Sequence, residues 1–194
     1  MKDFEIRRSL HQNYLKSYYH TTNSIVVNEL KVCNGNAIMD VAVINGSLIG
    51  FEIKSSSDNL VRLGNQIIHY NKVFDYVTLV TNYKHVQGAL REIPPWWGVW
   101  VIEKANNILS KYQIQEAAPN VKIESFSIAQ FLWKNEINDL ITRRKLDQRI
   151  CRKRKWVQWQ YLSDSIDPRD LKKEVSFYLR SRSDWKTQEL KLLQ

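Results

Sequence analysis

The chain has 194 residues, 43% of them hydrophobic and 25% charged, which suits one folded domain with an appendage and excludes a globally disordered chain. Its formal net charge of +9 points to an anionic partner and says nothing about fold. No apolar run approaches 18 residues, and the stretch from Met1 to Leu10 mixes Asp3, Glu5, Arg7 and Arg8 with apolar positions. Neither a membrane span nor a secretory leader is expected, so no membrane partner follows and a cytoplasmic location is the default.

Residues 3–19 carry Phe4, Ile6, Leu10, Tyr14, Leu15, Tyr18 and Tyr19 at roughly helical spacing, which predicts a helix. Short β-branched runs follow at Ile25-Val26-Val27 and from Ala37 to Ile44, separated by the turn dipeptide Asn34-Gly35. A second turn dipeptide, Asn45-Gly46, leads into Leu48 through Lys54, a hairpin signal that pairs Asp40 with Phe51 if Asn45 and Gly46 are the two turn residues. The cluster Ser55-Ser56-Ser57-Asp58 caps a helix predicted over 59–74. A buried strand is read at 76–80, a helix near 84–93 ending at Pro94-Pro95, and a strand at 96–102. Residues 110–124 read as a connecting strand or linker, and the texture is helical from about Ser127 to the end, with pieces at 127–145, 147–163 and 168–182. The two cysteines, Cys33 and Cys151, are far apart and suggest neither a disulfide framework nor a zinc site.

Asp40 lies in the first arm of the hairpin, and Glu52 and Lys54 lie on one face of the second. Charged groups in strands this apolar need partners, because burying an isolated carboxylate is very costly. Two carboxylates and a lysine converging on one spot describe a hard-cation site beside an ammonium. Taken singly, Glu52 and Lys54 also fit an exposed same-side ion pair, Gln66 an exposed helix position, and Tyr70 the core.

Asp40 followed by Glu52-Ile53-Lys54 resembles the signature of the PD-(D/E)xK nuclease superfamily, and Gln66 with Tyr70 resembles the Gln-x-x-x-Tyr element of its RecB-like branch. Asp40 to Gly46, Glu52 to Ser55, Val77 to Val80 and Ile93 to Val99 also resemble a small, poorly characterised bacterial and mobile-element family of that superfamily. The resemblance implies an α/β restriction-endonuclease-like αβββαβ core over 1–115 with a mixed central sheet, followed by a basic helical extension over 116–194. It implies a divalent-metal-dependent phosphodiesterase, with Asp40, Glu52, the Ile53 carbonyl and Glu29 holding Mg²⁺ or Mn²⁺. Lys54 would position water or stabilise the transition state, and Gln66 would brace Lys54 or a metal-bound water. DNA is the expected substrate ahead of RNA, and a homodimer or a partner protein is compatible with the family. The alternative is a nuclease fold without catalysis, serving nucleic-acid binding or assembly.

Residues 121–194 hold 17 Lys and Arg against 10 Asp and Glu, whereas residues 1–120 hold 12 against 10. The excess concentrates in Arg143, Arg144, Lys145, Arg149, Arg152, Lys153, Arg154 and Lys155, followed by Trp156 and Trp159. Cations interleaved with aromatic rings suit phosphates and bases, so these residues, with Tyr70 nearer the site, are the expected nucleic-acid contacts. A solvated helix face is the plainer reading of the same run.

Overall fold

A computed structural model describes residues 2–105 and 108–182. Six strands form one mixed sheet in sequence order: β1 (Ile25–Val32), β2 (Ala37–Ile44), β3 (Leu48–Ile53), β4 (Tyr76–Thr81), β5 (Gly98–Ala105) and β6 (Ile108–Gln115). The β3–β4 and β4–β5 pairs are parallel and the other three are antiparallel. The parallel pairs need crossovers, and α3 (Leu63–Tyr70) and α4 (Tyr83–Glu92) supply them. The architecture is therefore α/β, with helices on both faces of a mixed sheet.

One face carries α1 (Asp3–Ser9), a π-helical turn (Leu10–Tyr14) and α2 (Lys16–Tyr19) in place of the single helix expected over 3–19. Ile6, Leu10 and Leu15 from this segment pack on Val26, Val41, Val43, Phe51, Ile53 and Val80. The other face buries α3 and α4 together with α5 (Ser125–Ala129), α6 (Lys134–Arg143), α7 (Lys155–Ser165) and α8 (Pro168–Ser181). Its hydrophobic cluster runs without a break from Met39, Phe74 and Trp97 to Leu132, Leu171 and Leu179, so the C-terminal helices share a core with the sheet. No helix among the described residues is long and apolar enough to cross a membrane.

Several boundaries differ from expectation. The helix expected over 59–74 is confined to Leu63–Tyr70, because the residues after Ser55 form a turn in which the Ser55 N–H and hydroxyl both donate to Asp58, at 2.8 and 2.7 Å. The stretch read as a connecting strand or linker contains β6, an edge strand paired with β5. The helix expected over 127–145 is split into α5 and α6, and the extension of helical texture to the C-terminus falls on 183–194, outside the described residues.

The β2–β3 hairpin departs from its predicted register by one residue. Ile44 pairs with Leu48 and Val41 with Phe51, so the loop has three residues, Asn45, Gly46 and Ser47. Gly46 sits at φ +101°, a conformation that glycine adopts without strain. Asp40 is thereby moved off the Phe51 position and toward the level of Glu52.

Because Leu171 is fully buried in the shared cluster, Leu171→Ala is expected to destabilise the whole chain by about 2–5 kcal/mol. Chemical denaturation followed by both tryptophan fluorescence and circular dichroism should show a single transition at lower midpoint. A second, separate transition for the helices would contradict a common core.

Candidate functional site

The site begins with an interruption between β1 and β2. Asn28 pairs with Val41 and Leu30 with Met39, yet Glu29 and Asp40 between them make no ladder pair. Glu29 has φ +55°, a left-handed conformation uncommon for a residue with a side chain. The burial pattern changes phase at the same place. Ala37, Met39, Ala42 and Ile44 all face the large cluster, while Val41 and Val43 face the other one. Asp40 occupies the step where the alternation slips, and its side chain is freed from the ordinary pleat.

Arg7, which the sequence reading did not single out, exploits that gap. From α1 its guanidinium donates to the Asp40 carbonyl at 2.6 Å and to Asp40 Oδ1 at 2.9 Å. The other carboxylate oxygen, Oδ2, accepts the Ile53 N–H at 2.8 Å. Asp40 thus ties β2 to β3 and both to α1. The side-chain oxygen of neighbouring Asn28 accepts from His11 Nε2 at 2.9 Å, which extends the same polar seam along the first helical segment. Nothing in the local sequence links Arg7 to Asp40, since 33 residues separate them.

Glu52 is almost fully buried, at 1% exposure, and Lys54 is 5% exposed. They project to the α3 side of β3. Lys54 Nζ donates to Glu52 Oε1 at 2.7 Å and to Gln66 Oε1 at 3.0 Å. Gln66 Nε2 donates to the same Glu52 oxygen at 2.6 Å, and the single Tyr70 hydroxyl proton is shared between Glu52 Oε2 at 2.8 Å and the Ile38 carbonyl at 2.5 Å. Gln66 and Tyr70 lie one helical turn apart on α3, which brings both to one carboxylate. Tyr70 is itself fully buried, with its ring against Phe74 and Trp97. The four residues Glu52, Lys54, Gln66 and Tyr70 therefore meet, and Tyr70 is placed beneath the site.

Asp40, Glu52, Lys54, Gln66 and the exposed Glu29 line one cavity of about 560 Å³. Each of the two inner carboxylates already has both oxygens engaged by protein donors, Asp40 by α1 and the Ile53 N–H, Glu52 by Lys54 and α3. Their donors come from opposite layers of the sheet. Among the described residues no group of three or more His, Cys, Asp or Glu side chains is arranged to hold a metal ion. The positive charge facing these carboxylates comes from the protein itself, from Arg7 at Asp40 and Lys54 at Glu52.

Electrostatics bear the marks of burial. Glu52 is pushed up to about 7, first by burial and then by repulsion from Asp40, against the opposing pull of Lys54 and Tyr70. Asp40 is also raised, again by burial, despite the Ile53 N–H and Arg7. Burial and the adjacent Glu52 carboxylate hold the Tyr70 hydroxyl firmly protonated.

The expected nucleic-acid contacts separate into different environments. Arg143 pairs with Asp139 and Glu174, Arg144 with Glu174, and Arg149 with Asp147. Lys145, Arg152, Lys153 and Arg154 are exposed and have no acidic partner among the described residues. Trp156 is 59% exposed, whereas Trp159 is buried at 5% against Phe126, with the Lys155 ammonium 4.9 Å from its ring centre. Trp133, absent from the sequence-based set, is 43% exposed just before α6.

In the unfolded chain Glu52 has an ordinary value near 4.5, so between about pH 4.5 and 7 the folded chain holds a proton that the unfolded chain lacks. Its contribution to stability is full below that window and is lost as pH rises through it, by up to about 3 kcal/mol. The denaturation midpoint of the natural chain, measured relative to Glu52→Gln, is expected to fall between pH 5 and pH 8. A relative midpoint that rises over that interval would contradict the assignment.

Three comparisons place the chain among known proteins. The family described as bacteriophage P4 protein cII matches residues 5–193. Protein cII of Enterobacteria phage P4 is 30% identical over 122 residues, which are 63% of this chain and 46% of that protein, so the match spans under half of the relative's length. Among solved structures, the SPO1766 protein of unknown function from Silicibacter pomeroyi aligns at TM-score 0.43 with 15% identity, over 61% of this chain and 74% of that one. The family match corrects the resemblance to PD-(D/E)xK nucleases drawn from Asp40, Glu52 and Lys54. The reading as a metal-dependent hydrolase falls with it, since the described residues also offer no metal-holding cluster. The chain belongs to the bacteriophage P4 protein cII family.

Proposed function

We propose that this protein is a nucleic-acid-binding module that does not hydrolyse its ligand, built on a restriction-endonuclease-like arrangement of sheet and helices. One observation carries the reading: four cations, Lys145, Arg152, Lys153 and Arg154, stand in solvent without acidic partners among the described residues, beside the exposed ring of Trp156. Three of them immediately precede α7, which begins at Lys155. The unpaired backbone N–H groups of that helix start add positive potential in the same direction. The consecutive charges at 152–154 repel one another, and a polyanion relieves the repulsion while releasing its own counterions.

The interior supports the non-catalytic side of the proposal. Asp40 and Glu52 are each closed by internal donors, and the closed network joins α1, β2, β3 and α3. That is the work of a brace. DNA is the proposed partner ahead of RNA. Phosphate contacts of this kind set affinity and register and carry no base preference.

The test is binding of the full chain to labelled DNA across a salt series in the presence of EDTA. Four phosphate contacts predict a log–log slope of about −3 to −4. Reversing Arg152, Lys153 and Arg154 to Glu is expected to weaken binding at least about tenfold and to flatten the slope by about 2–3. Binding that requires Mg²⁺, or that survives the reversal with an unchanged slope, would overturn the proposal.

A further inference from the structure

A second cavity, of about 760 Å³, lies between the outer edge of β1 and the C-terminal helices. Glu29 and Ile38 line both this cavity and the one that holds Asp40 and Glu52. Its β1 wall is an edge: β1 pairs only with β2 among the described residues. Its helical wall is formed by Phe131, Trp133, Lys155 and Arg182.

Three cations, Lys31, Lys155 and Arg182, line this cavity. Arg182 is bound bidentately to Glu136, at 2.8 and 2.7 Å, and lies 4.0 Å from the centre of the Trp133 ring. This pairing fixes the indole in place. Glu136 is thus consumed by Arg182, and neither Lys31 nor Lys155 has an ion-pair partner among the described residues. Burial, and then the adjacent guanidinium, holds the Lys155 ammonium below its ordinary range. Lys155 is also the first residue of α7, directly after the exposed cations at 152–154, so the cavity opens beside the charged run.

Resting on the nucleic-acid reading above, we infer that this cavity is a base-stacking subsite for single-stranded nucleic acid, with an unpaired base on Trp133 and its phosphates at Lys155 and Lys31. Arg182 covers one face of the indole, so a base would stack on the opposite one, and stacking of this kind tolerates sequence. A base within a duplex is already stacked on both sides and does not enter a recess between a sheet edge and helices. The inference therefore names strandedness, which the surface cations alone leave open.

The experiment compares the full chain with Trp133→Ala, Trp133→Phe and Lys155→Ala, using fluorescence anisotropy on labelled oligothymidylate, oligouridylate and a duplex of equal length. Trp133→Ala and Lys155→Ala are expected to weaken single-strand binding by about tenfold and duplex binding by less than about twofold, with Trp133→Phe largely restoring affinity. Loss on either single strand supports the subsite and identifies the sugar it accepts. Equal loss on single strand and duplex, or no loss on either single strand, would overturn it. If the natural chain bound the duplex alone, the subsite would fail while the nucleic-acid reading stood; if it bound none of the three, both would fail.

Discussion

A carboxylate at 1% exposure must be either neutral or surrounded by donors, and Glu52 has gathered three. Lys54 reaches it along its own strand, while Gln66 and Tyr70 reach it from α3. This requirement fixes α3 over the end of β3 and seats the Tyr70 ring between Phe74 and Trp97, deep in the larger cluster. Removing one member of such a network leaves the others buried without partners, which costs about 3–5 kcal/mol for a charged pair. Asp40 performs the corresponding task on the opposite side, where Arg7 and the Ile53 N–H join α1 to two strands. The polar interior is thus a cross-layer tie.

Much of the fold was legible in the sequence because each central element has its own signal. The run Tyr76-Val77-Thr78-Leu79-Val80 reads as a strand buried on both faces, and Asn45-Gly46 marks the hairpin. The register escaped by one residue, since an Asn-Gly pair does not say whether the next residue joins the loop. The phase slip at Glu29 and Asp40 was also hidden: a periodicity argument assumes that alternation continues, and here a positive-φ residue breaks it. Edge strand β6 carries exposed Tyr112 and Ile114, so it lacks the continuous apolar run that identifies a central strand.

The site was legible in its membership and illegible in its state. Spacing placed Glu52 and Lys54 on one strand face, the resemblance added Gln66 and Tyr70, and the structure brings the four within hydrogen-bond distance. What spacing does not encode is the identity of the partner that satisfies each carboxylate. Arg7 reaches Asp40 from 33 residues away. The basic segment shows a similar division. Eight cations look alike in sequence, but Arg143, Arg144 and Arg149 are folded into ion pairs, while the positions from Arg152 to Arg154 stand in solvent without acidic partners among the described residues. Trp156 and Trp159, three residues apart, are on opposite sides of the same distinction, one in solvent and one in the core.

The central claim is that the inner carboxylates serve as a brace held by Arg7, Lys54 and α3, and the proposal built on it is that the cationic exterior carries the binding. Calorimetric titration of Mn²⁺ into the purified full chain tests it most directly. The account predicts no saturable heat that depends on Asp40 or Glu52. One-to-one binding that is abolished by Asp40→Asn in a folded protein would contradict it.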